Sequence, residues 1–217
     1  MISLSLEKAH KYVLQALDEL KNLEGGIMLG ETEDLDTMKL TEGYIVEAAL
    51  VAHKDAPARL VEGEVGVLGT DYKVEFDTSD PTVAKITMLT PIARLASLKA
   101  SDSHYVIEEA IPEGSPIARM QNNKYVRGTY DDPRLIVKSV WNEPYCPEYL
   151  YYSVKSDRAT FSIEYVPYPE ISGDSVQISS KLEYAVLALL VSMVLDSLPY
   201  TDKGNIYKAK YQEYLKR

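Results

Sequence analysis

The sequence predicts an α+β protein: N- and C-terminal helices packed as a helical bundle, with an inserted antiparallel β-sheet or small barrel. Three observations predict it. Apolar residues recur at helical spacing near both ends of the chain, and between them the pattern changes to period two. Neither terminal helix pair can bury its apolar stripe alone, so the economical solution packs the early helices against the late ones. A chain of 217 residues allows one domain, or one core with a large insertion. The expected division is a single domain over 1–217, with a helical core from 1–60 and 178–217 and a β-rich insertion over 64–168.

The first helix is predicted from Leu6, Ala9, Val13, Ala16, Leu17 and Leu20, which form one stripe. Ser5 can cap it and Gly25-Gly26 can end it. A second helix is expected from about Asp34 to Lys54, with a looser stripe through Leu35, Met38, Tyr44 or Ile45, Ala48, Ala49 and Ala52. Gly43 weakens it and Pro57 bounds it.

Alternation then marks strands at Tyr72–Phe76 and Val83–Leu89. Further strands are expected at Tyr105–Glu108, Lys124–Tyr130, Leu135–Trp141, Tyr149–Lys155 and Thr160–Val166. Thr78-Ser-Asp-Pro81, Pro112-Glu-Gly114, Asp131-Asp-Pro133 and Ser156-Asp157 supply the turns. Tyr149-Leu-Tyr-Tyr152 and Phe161-Ser-Ile-Glu-Tyr165 are expected to form a hairpin with aromatic cross-strand pairs. After Pro167-Tyr-Pro169 the helical period returns. Ser180-Lys-Leu-Glu183 has the form of a capping box. Leu182 to Leu198 is apolar nearly all round and should be buried, Pro199 ends it, and a last helix spans about Asn205 to Lys216.

Composition excludes several function classes. A lone Cys146 cannot close an intramolecular disulfide. One cysteine and three scattered histidines do not make a structural zinc cluster. With 23 Lys+Arg against 33 Asp+Glu the net charge is −10, which argues against a general nucleic-acid binder. The most apolar run, Tyr184–Leu195, is too short to cross a bilayer, and no targeting segment is visible, so no membrane partner and a reducing cytoplasm are expected.

Charge is distributed unevenly. From Asp18 to Glu64 there are twelve acids and four bases, whereas Lys203 to Arg217 carries five bases and one acid. The early run fits either solvated helix faces or a concentrated negative surface.

Catalytic patterns are absent from the sequence. It contains no HExxH, GxSxG or Walker A motif. Gly63-Glu-Val-Gly66-Val-Leu-Gly69 shares only its glycines with a phosphate loop and reads as a turn-rich approach to the sheet. His10, His53 and His104 fit structural roles, and Cys146 lies in a proline-flanked connector, Glu143-Pro-Tyr-Cys-Pro147. Glu31-Thr-Glu-Asp-Leu-Asp36 lacks the glycine and glutamate spacing of a calcium loop. No catalytic residue, metal ligand or cofactor is nominated.

Seventeen tyrosines stand against two Phe and one Trp. Those of the last helix lie on a short basic segment, which fits a partner interface or wet packing. The interface residues nominated are Tyr207, Lys208, Lys210, Tyr211, Tyr214, Lys216 and Arg217.

The run from Pro147-Glu-Tyr-Leu-Tyr-Tyr152 through Tyr165-Val-Pro-Tyr-Pro169, the apolar Leu182–Leu198 helix and the Tyr-containing Ile206–Leu215 helix resembles head–tail connector proteins of tailed bacteriophages. The opening helix, Leu6 to Leu20, fits the same group, and the size and acidity look most like ring proteins of crAss-like and other short-tailed phages. The resemblance covers about the last 70 residues well and the first 20 loosely; Tyr72 to Trp141 matches no pattern.

It implies a non-enzymatic virion part, assembled in the host cytoplasm as a ring, commonly dodecameric, beneath the portal protein. Such a ring extends the channel and docks other tail or ring proteins, and DNA passes through its lumen without specific binding. Opposite charges on early and late helices would suit heterologous contacts between subunits. The competing readings are another virion accessory protein of tail or capsid, and a small ligand-binding or enzymatic α+β domain.

Overall fold

The computed structural model describes residues 1–24, 31–123, 125–129, 131–138, 146–154, 158–198 and 200–216, with backbone alone at 20–24, 31–35, 201 and 202. The expected helix stops at Gly25-Gly26 and Pro199 lie outside these residues, as do the Ser156-Asp157 turn, Arg217 and most of the Glu143–Pro147 connector.

The described chain is mixed α+β, with five α-helices and three sheets, none closed into a barrel. In order the elements are β1 (Ile2–Ser5), α1 (Leu6–Glu24), α2 (Glu31–Asp55), β2 (Glu64–Val65), β3 (Tyr72–Phe76), β4 (Val83–Met88), β5 (Ile92–Ala100) and β6 (Ile111–Pro112). There follow α3 (Pro116–Met120), β7 (Arg134–Lys138), β8 (Glu148–Tyr152), β9 (Phe161–Pro167), β10 (Ile171–Ser172), β11 (Ser175–Ile178), α4 (Glu183–Ser197) and α5 (Thr201–Lys216). Short 3₁₀ turns lie at Ala58–Leu60 and Ser180–Leu182. Two compact units result: Met1–Glu62 with Pro169–Arg217, and Gly63–Tyr168.

In the first unit, Ser5 caps α1 by accepting from the Lys8 N–H at 3.2 Å. Leu6, Ala9, Val13, Ala16 and Leu17 are all buried, as the stripe requires. The buried face of α2 is Thr37, Thr41, Ile45, Ala48, Ala49 and Ala52. Two threonines carry the early part of the face, where the apolar reading places Met38. The Thr41 hydroxyl donates to the Thr37 carbonyl at 2.8 Å, which is how a polar residue sits there without an orphaned group. Met38, by contrast, is exposed.

Helix α4 is buried on almost every side and touches α1, α2 and α5. Tyr207, Tyr211 and Leu215, four residues apart, are the face of α5 that is buried.

A small antiparallel sheet, β1-β11-β10, pairs the first strand with a segment more than 170 residues later. Ile2 lies opposite Ile178 and Leu4 opposite Val176, so alternate residues enter the helical core. His53 ties α2 to the end of β11. Its Nε2 accepts from the Ser179 N–H at 3.1 Å, so Nδ1 carries the proton and donates to the Ala49 carbonyl at 2.7 Å.

The expected capping box does not form. Ser180 donates its hydroxyl to Glu62 at 2.6 Å and its N–H to the same carboxylate at 3.3 Å, while Glu183 pairs with Lys8. A carboxylate distant in sequence has replaced the local one. The Met1 amine at 2.8 Å, then the Ser180 hydroxyl, hold Glu62 down at about 2.

In the second unit, β2-β9-β5 and β3-β4-β8-β7-β6 face each other across one core. Among the described residues the strands pair antiparallel except β6 with β7, and the isolated Leu68–Tyr72 bridge is also parallel. The hairpin expected from the two aromatic segments is absent, because β8 pairs with β4 and β7 whereas β9 pairs with β2 and β5. The aromatic contact exists, but across the sandwich: Tyr151 and Phe161 meet edge to face at 5.2 Å.

Strand β5, the longest, has no period-two pattern in the sequence. Register shifts at Ile92/Arg94 and Leu95/Ser97 break the alternation along it. The expected strand at 105–108 reduces to one bridge, Ile107 opposite Leu98. At 124–130 the described residues form only a Thr129–Asp132 bridge, and the preceding helix α3, capped by Ser115 with Pro116 at its first turn, was not anticipated.

Two glycines separate propensity from packing. Gly43 lies mid-helix in α2 with open space where a Cβ would be, so Gly43→Ala should stabilise by about 0.5–1 kcal/mol. A Cβ on Gly204 of α5 would run into the Asp196 carboxylate of α4. Gly204→Ala should therefore lower the melting temperature despite the same gain in propensity, because the Asp196 carboxylate, which pairs with Lys208, must swing away and the Ser192 carbonyl must give way. Thermal unfolding of both variants checks the pair; a stabilised Gly204→Ala would refute this packing.

Candidate functional site

Two places could serve function: the outward face of α5 and a cleft on the five-stranded sheet. The α5 residues nominated from sequence divide by helical phase. Tyr207 and Tyr211 are buried in the chain's own helical core. The Tyr211 hydroxyl donates to Asp55 at 2.9 Å and the Tyr207 hydroxyl to Glu19 at 3.5 Å. Burial first, then the Glu19 charge, pushes Tyr207 up to about 12; burial and the Asp55 bond push Tyr211 higher still.

Tyr214 is half-buried and stacks on the exposed Tyr184 at 5.9 Å. Lys208 is exposed and pairs with Asp196 at 2.8 Å, and Lys210 lies over the Tyr207 ring at 4.2 Å. The side chain of Lys216 is exposed. Arg217 lies outside the described residues. The basic excess of the last helix is thus partly used within the chain.

The cleft arises because the five-stranded sheet buries one face in the sandwich and leaves the other partly covered. On the second face α3 lowers Ala118 onto Val83, Ile136 and Tyr152. Beside that small core an open cleft of about 750 Å³ remains. Its floor is a row set by register, Glu75 opposite Lys85 and Lys85 opposite Leu150. One wall is the β3–β4 turn, Asp77 to Asp80; the other carries Gln121, Asn122 and Arg127.

The second wall is held by convergent bonds. Arg127 pairs with Asp80 at 2.7 Å, with both side chains only 15% exposed. Gln121 is buried and uses both ends of its amide: Nε2 donates to the Ile117 carbonyl at 2.9 Å, and Oε1 accepts from the Gly128 N–H at 2.8 Å. Ser153, at φ +84°, donates its hydroxyl to the Gly128 carbonyl. A serine in the left-handed region costs about 1 kcal/mol or more, and over-determination by neighbours is what sustains it. Here the Ser153 and Val154 N–H groups both donate to the Thr82 carbonyl.

Arg127 first, then the Thr82 hydroxyl, holds the Asp80 carboxyl well below the usual range. Lys85 pairs with Glu148 at 2.6 Å, and Asp77 accepts from the Ser79 N–H and hydroxyl. Most charges of the cleft are therefore met by protein partners, an arrangement that holds a wall in place and suits binding more than proton transfer.

Little in the sequence marks this cleft. Asp77 and Asp80 lie beside or within what reads as a turn, Arg127 lies in the segment expected as a strand at 124–130, and Gln121 precedes that segment. Only the Thr78-Ser-Asp-Pro81 turn was a usable signal. The histidines are not brought together: His10 bonds Thr37, His53 bonds backbone, and His104 is exposed. Among the described residues no three His, Cys, Asp or Glu side chains are arranged to hold a metal ion, and no helix is long and apolar enough to cross a membrane. The chain matches no protein-family model, no curated protein and no solved structure.

The Asp80–Arg127 pair makes a pH prediction. Because the folded carboxyl is depressed, its contribution is complete above the ordinary carboxylate value, near 4, and is lost as pH falls through that value toward the folded one. Asp80→Asn should lower stability by about 1.5–3 kcal/mol at neutral pH. The gap to the parent chain should narrow steadily below about pH 4. Urea unfolding at several pH values measures both, and a pH-independent gap would show that the charge is not what matters.

Proposed function

We propose that the chain is a structural, non-enzymatic subunit of a ring connector in a tailed-phage virion. It assembles beneath the portal protein, extends the DNA channel without binding DNA specifically, and docks further tail or ring proteins. The observation that carries this reading is the order of elements at the C-terminal end. Strand β9 closes on the Tyr165–Pro169 step, a polar hairpin follows, and then come the apolar α4 and the tyrosine-bearing α5. That is the layout for which the sequence resembles connector proteins.

On this reading the terminal helices act as one bundle, with α4 as its centre. The outward cations of α5 then meet an acidic surface of a neighbour, in keeping with the exposed Asp36, Glu42 and Glu47 on α2.

A second reading, a ligand-binding α+β domain, is favoured by the cleft with its fixed walls. It predicts a chain that stays monomeric when a portal is present.

Size-exclusion chromatography with mass measurement, on the chain mixed with the portal from the same genome, separates the two. The ring reading expects co-elution at a mass of many subunits; persistent monomer at high concentration would overturn it. Lys216→Glu should weaken that assembly several-fold, more at low salt than at high. Lys208→Glu is less clean, since it also breaks the Asp196 pair. Unchanged assembly by Lys216→Glu would remove α5 from the contact.

A further inference from the structure

The cleft on the five-stranded sheet is balanced in charge, with three acids, Glu75, Asp77 and Asp80, and three bases, Lys85, Arg127 and Lys138, along it. Its apolar floor is Val83, Leu150 and the Tyr152 ring, neighbours on β4 and β8. Several polar groups around that floor keep hydrogen-bonding capacity that the chain does not use.

Tyr152 is the sharpest case. It is only 8% exposed, its ring packed with Val83, Ala118 and Ile136. A tyrosine so buried usually finds a partner for its hydroxyl. Among the described residues this hydroxyl has none, and the side left open to it is the cleft. The charges that bear on it are Arg127, Glu113 and Asp80, at the cleft's second wall. The side-chain amide of Asn122 and the Lys138 ammonium also make no bond among the described residues. Lys138 lies opposite Glu148 in register, but that carboxylate is taken by Lys85. Asp77 receives both Ser79 donors at one oxygen, Oδ1, and a carboxylate has about four lone-pair sites, so acceptor capacity remains.

These groups select a ligand by what they would do to each class. An anion would meet the three carboxylates, and a cation the three bases. An apolar molecule would strip water from Tyr152, Asn122 and Lys138 and return no bond. A neutral molecule whose polar atoms each donate and accept meets both kinds of group at once. Hydroxyls do this, and a sugar carries them around a ring whose C–H face can lie on an apolar floor. The Asn122 amide offers a donor and an acceptor side by side, matching two neighbouring hydroxyls. Asp77 follows β3 and Lys138 ends β7, three strand spacings away, so these groups are spread over at least about 14 Å. That spread fits a short chain of rings better than one ring.

We infer that this cleft binds a neutral oligosaccharide, with Tyr152, Asn122, Asp77 and Lys138 as its polar contacts. The inference rests on the ligand-binding reading of the cleft, and it makes no use of the portal or of α5.

The test titrates the isotopically labelled full chain with cellotetraose, maltotetraose and N-acetylchitotetraose, and with glucose and sodium sulfate for comparison. Backbone and side-chain amide shifts are read by NMR. At least one tetrasaccharide should saturably shift Asn122, Gln121 and the Asp77–Asp80 turn, and should bind at least about tenfold more tightly than glucose. Tyr152→Phe, which removes only the hydroxyl, should weaken that binding about three- to tenfold, and Asn122→Ala should weaken it too. Thermal unfolding verifies that both variants are folded. Sulfate shifting these residues while no sugar does so would overturn the sugar assignment and leave the cleft a ligand site of another class. No shift in the cleft with any probe would overturn the sugar assignment and the ligand-binding reading together. Tetrasaccharide shifts confined to other surfaces, or a Tyr152→Phe chain that binds as the parent does, would also overturn the inference. Glucose binding as tightly as the tetrasaccharides would overturn the chain of rings. The ring reading is decided separately, by the portal experiment.

Discussion

The first unit depends on one constraint: α4 is apolar nearly all round, so it must be covered on almost every side. Val186, Leu187, Leu189, Leu190, Val191, Val194 and Leu195 are buried, and each such side chain contributes about 1.5–3 kcal/mol when removed from water. No single neighbour can supply that cover. Helices α1 and α2 come from the start of the chain and α5 from its end, and all three touch α4. The β1–β11 pairing and the His53–Ser179 bond fasten the same two ends beside the helices. The separation in sequence of the unit's two halves follows from this need.

Legibility in the sequence tracks how local the determining interaction is. The stripes of α1, α4 and α5 were readable because period and burial are the same fact seen twice. Strands β3 and β4 were readable because each alternates regularly. Strand β5 was not, because two register shifts break its alternation, and α3 was not, because five residues are too few to show a period. The capping box failed for a different reason. Ser180 and Glu183 have the right spacing, but Glu62 and Lys8, remote in sequence, compete for them and win. Spacing reports what a local pair could do, and tertiary partners decide what it does.

The same distinction applies to the candidate sites. Tyrosine enrichment on α5 covers residues with different surroundings. The helix turns Tyr207 and Tyr211 inward, where their hydroxyls reach Asp55 and Glu19 at the margin of the core. Composition cannot resolve phase, whereas the i, i+4 spacing of Tyr207, Tyr211 and Leu215 could have done so. The cleft was invisible for a deeper reason. Its walls come from the β3–β4 turn and from the α3 excursion, forty residues apart, and only the fold brings Asp80 to Arg127.

Charge shows how far the chain's chemistry is turned on itself. The net charge of −10 invites a picture of an acidic surface awaiting basic partners, and the basic last helix invites its mirror image. Many of these charges are instead engaged within the chain: Lys8 with Glu183, Lys208 with Asp196, Lys85 with Glu148, Arg127 with Asp80. The first three of these pairs are more exposed and contribute little energy each, cancelling charge locally more than holding the fold, whereas the sheltered Arg127–Asp80 pair also fixes the cleft wall. The surfaces with most to offer a partner are then those where apolar area and uncancelled charge coincide. Recognition there draws its affinity from burial and its register from charge sign. The clamp at Gln121 and Ser153 fixes the α3 excursion through the chain's own groups, and a surface fixed in this way carries a smaller ordering cost in any association. Local strain at Ser153 is in that sense part of what the excursion presents.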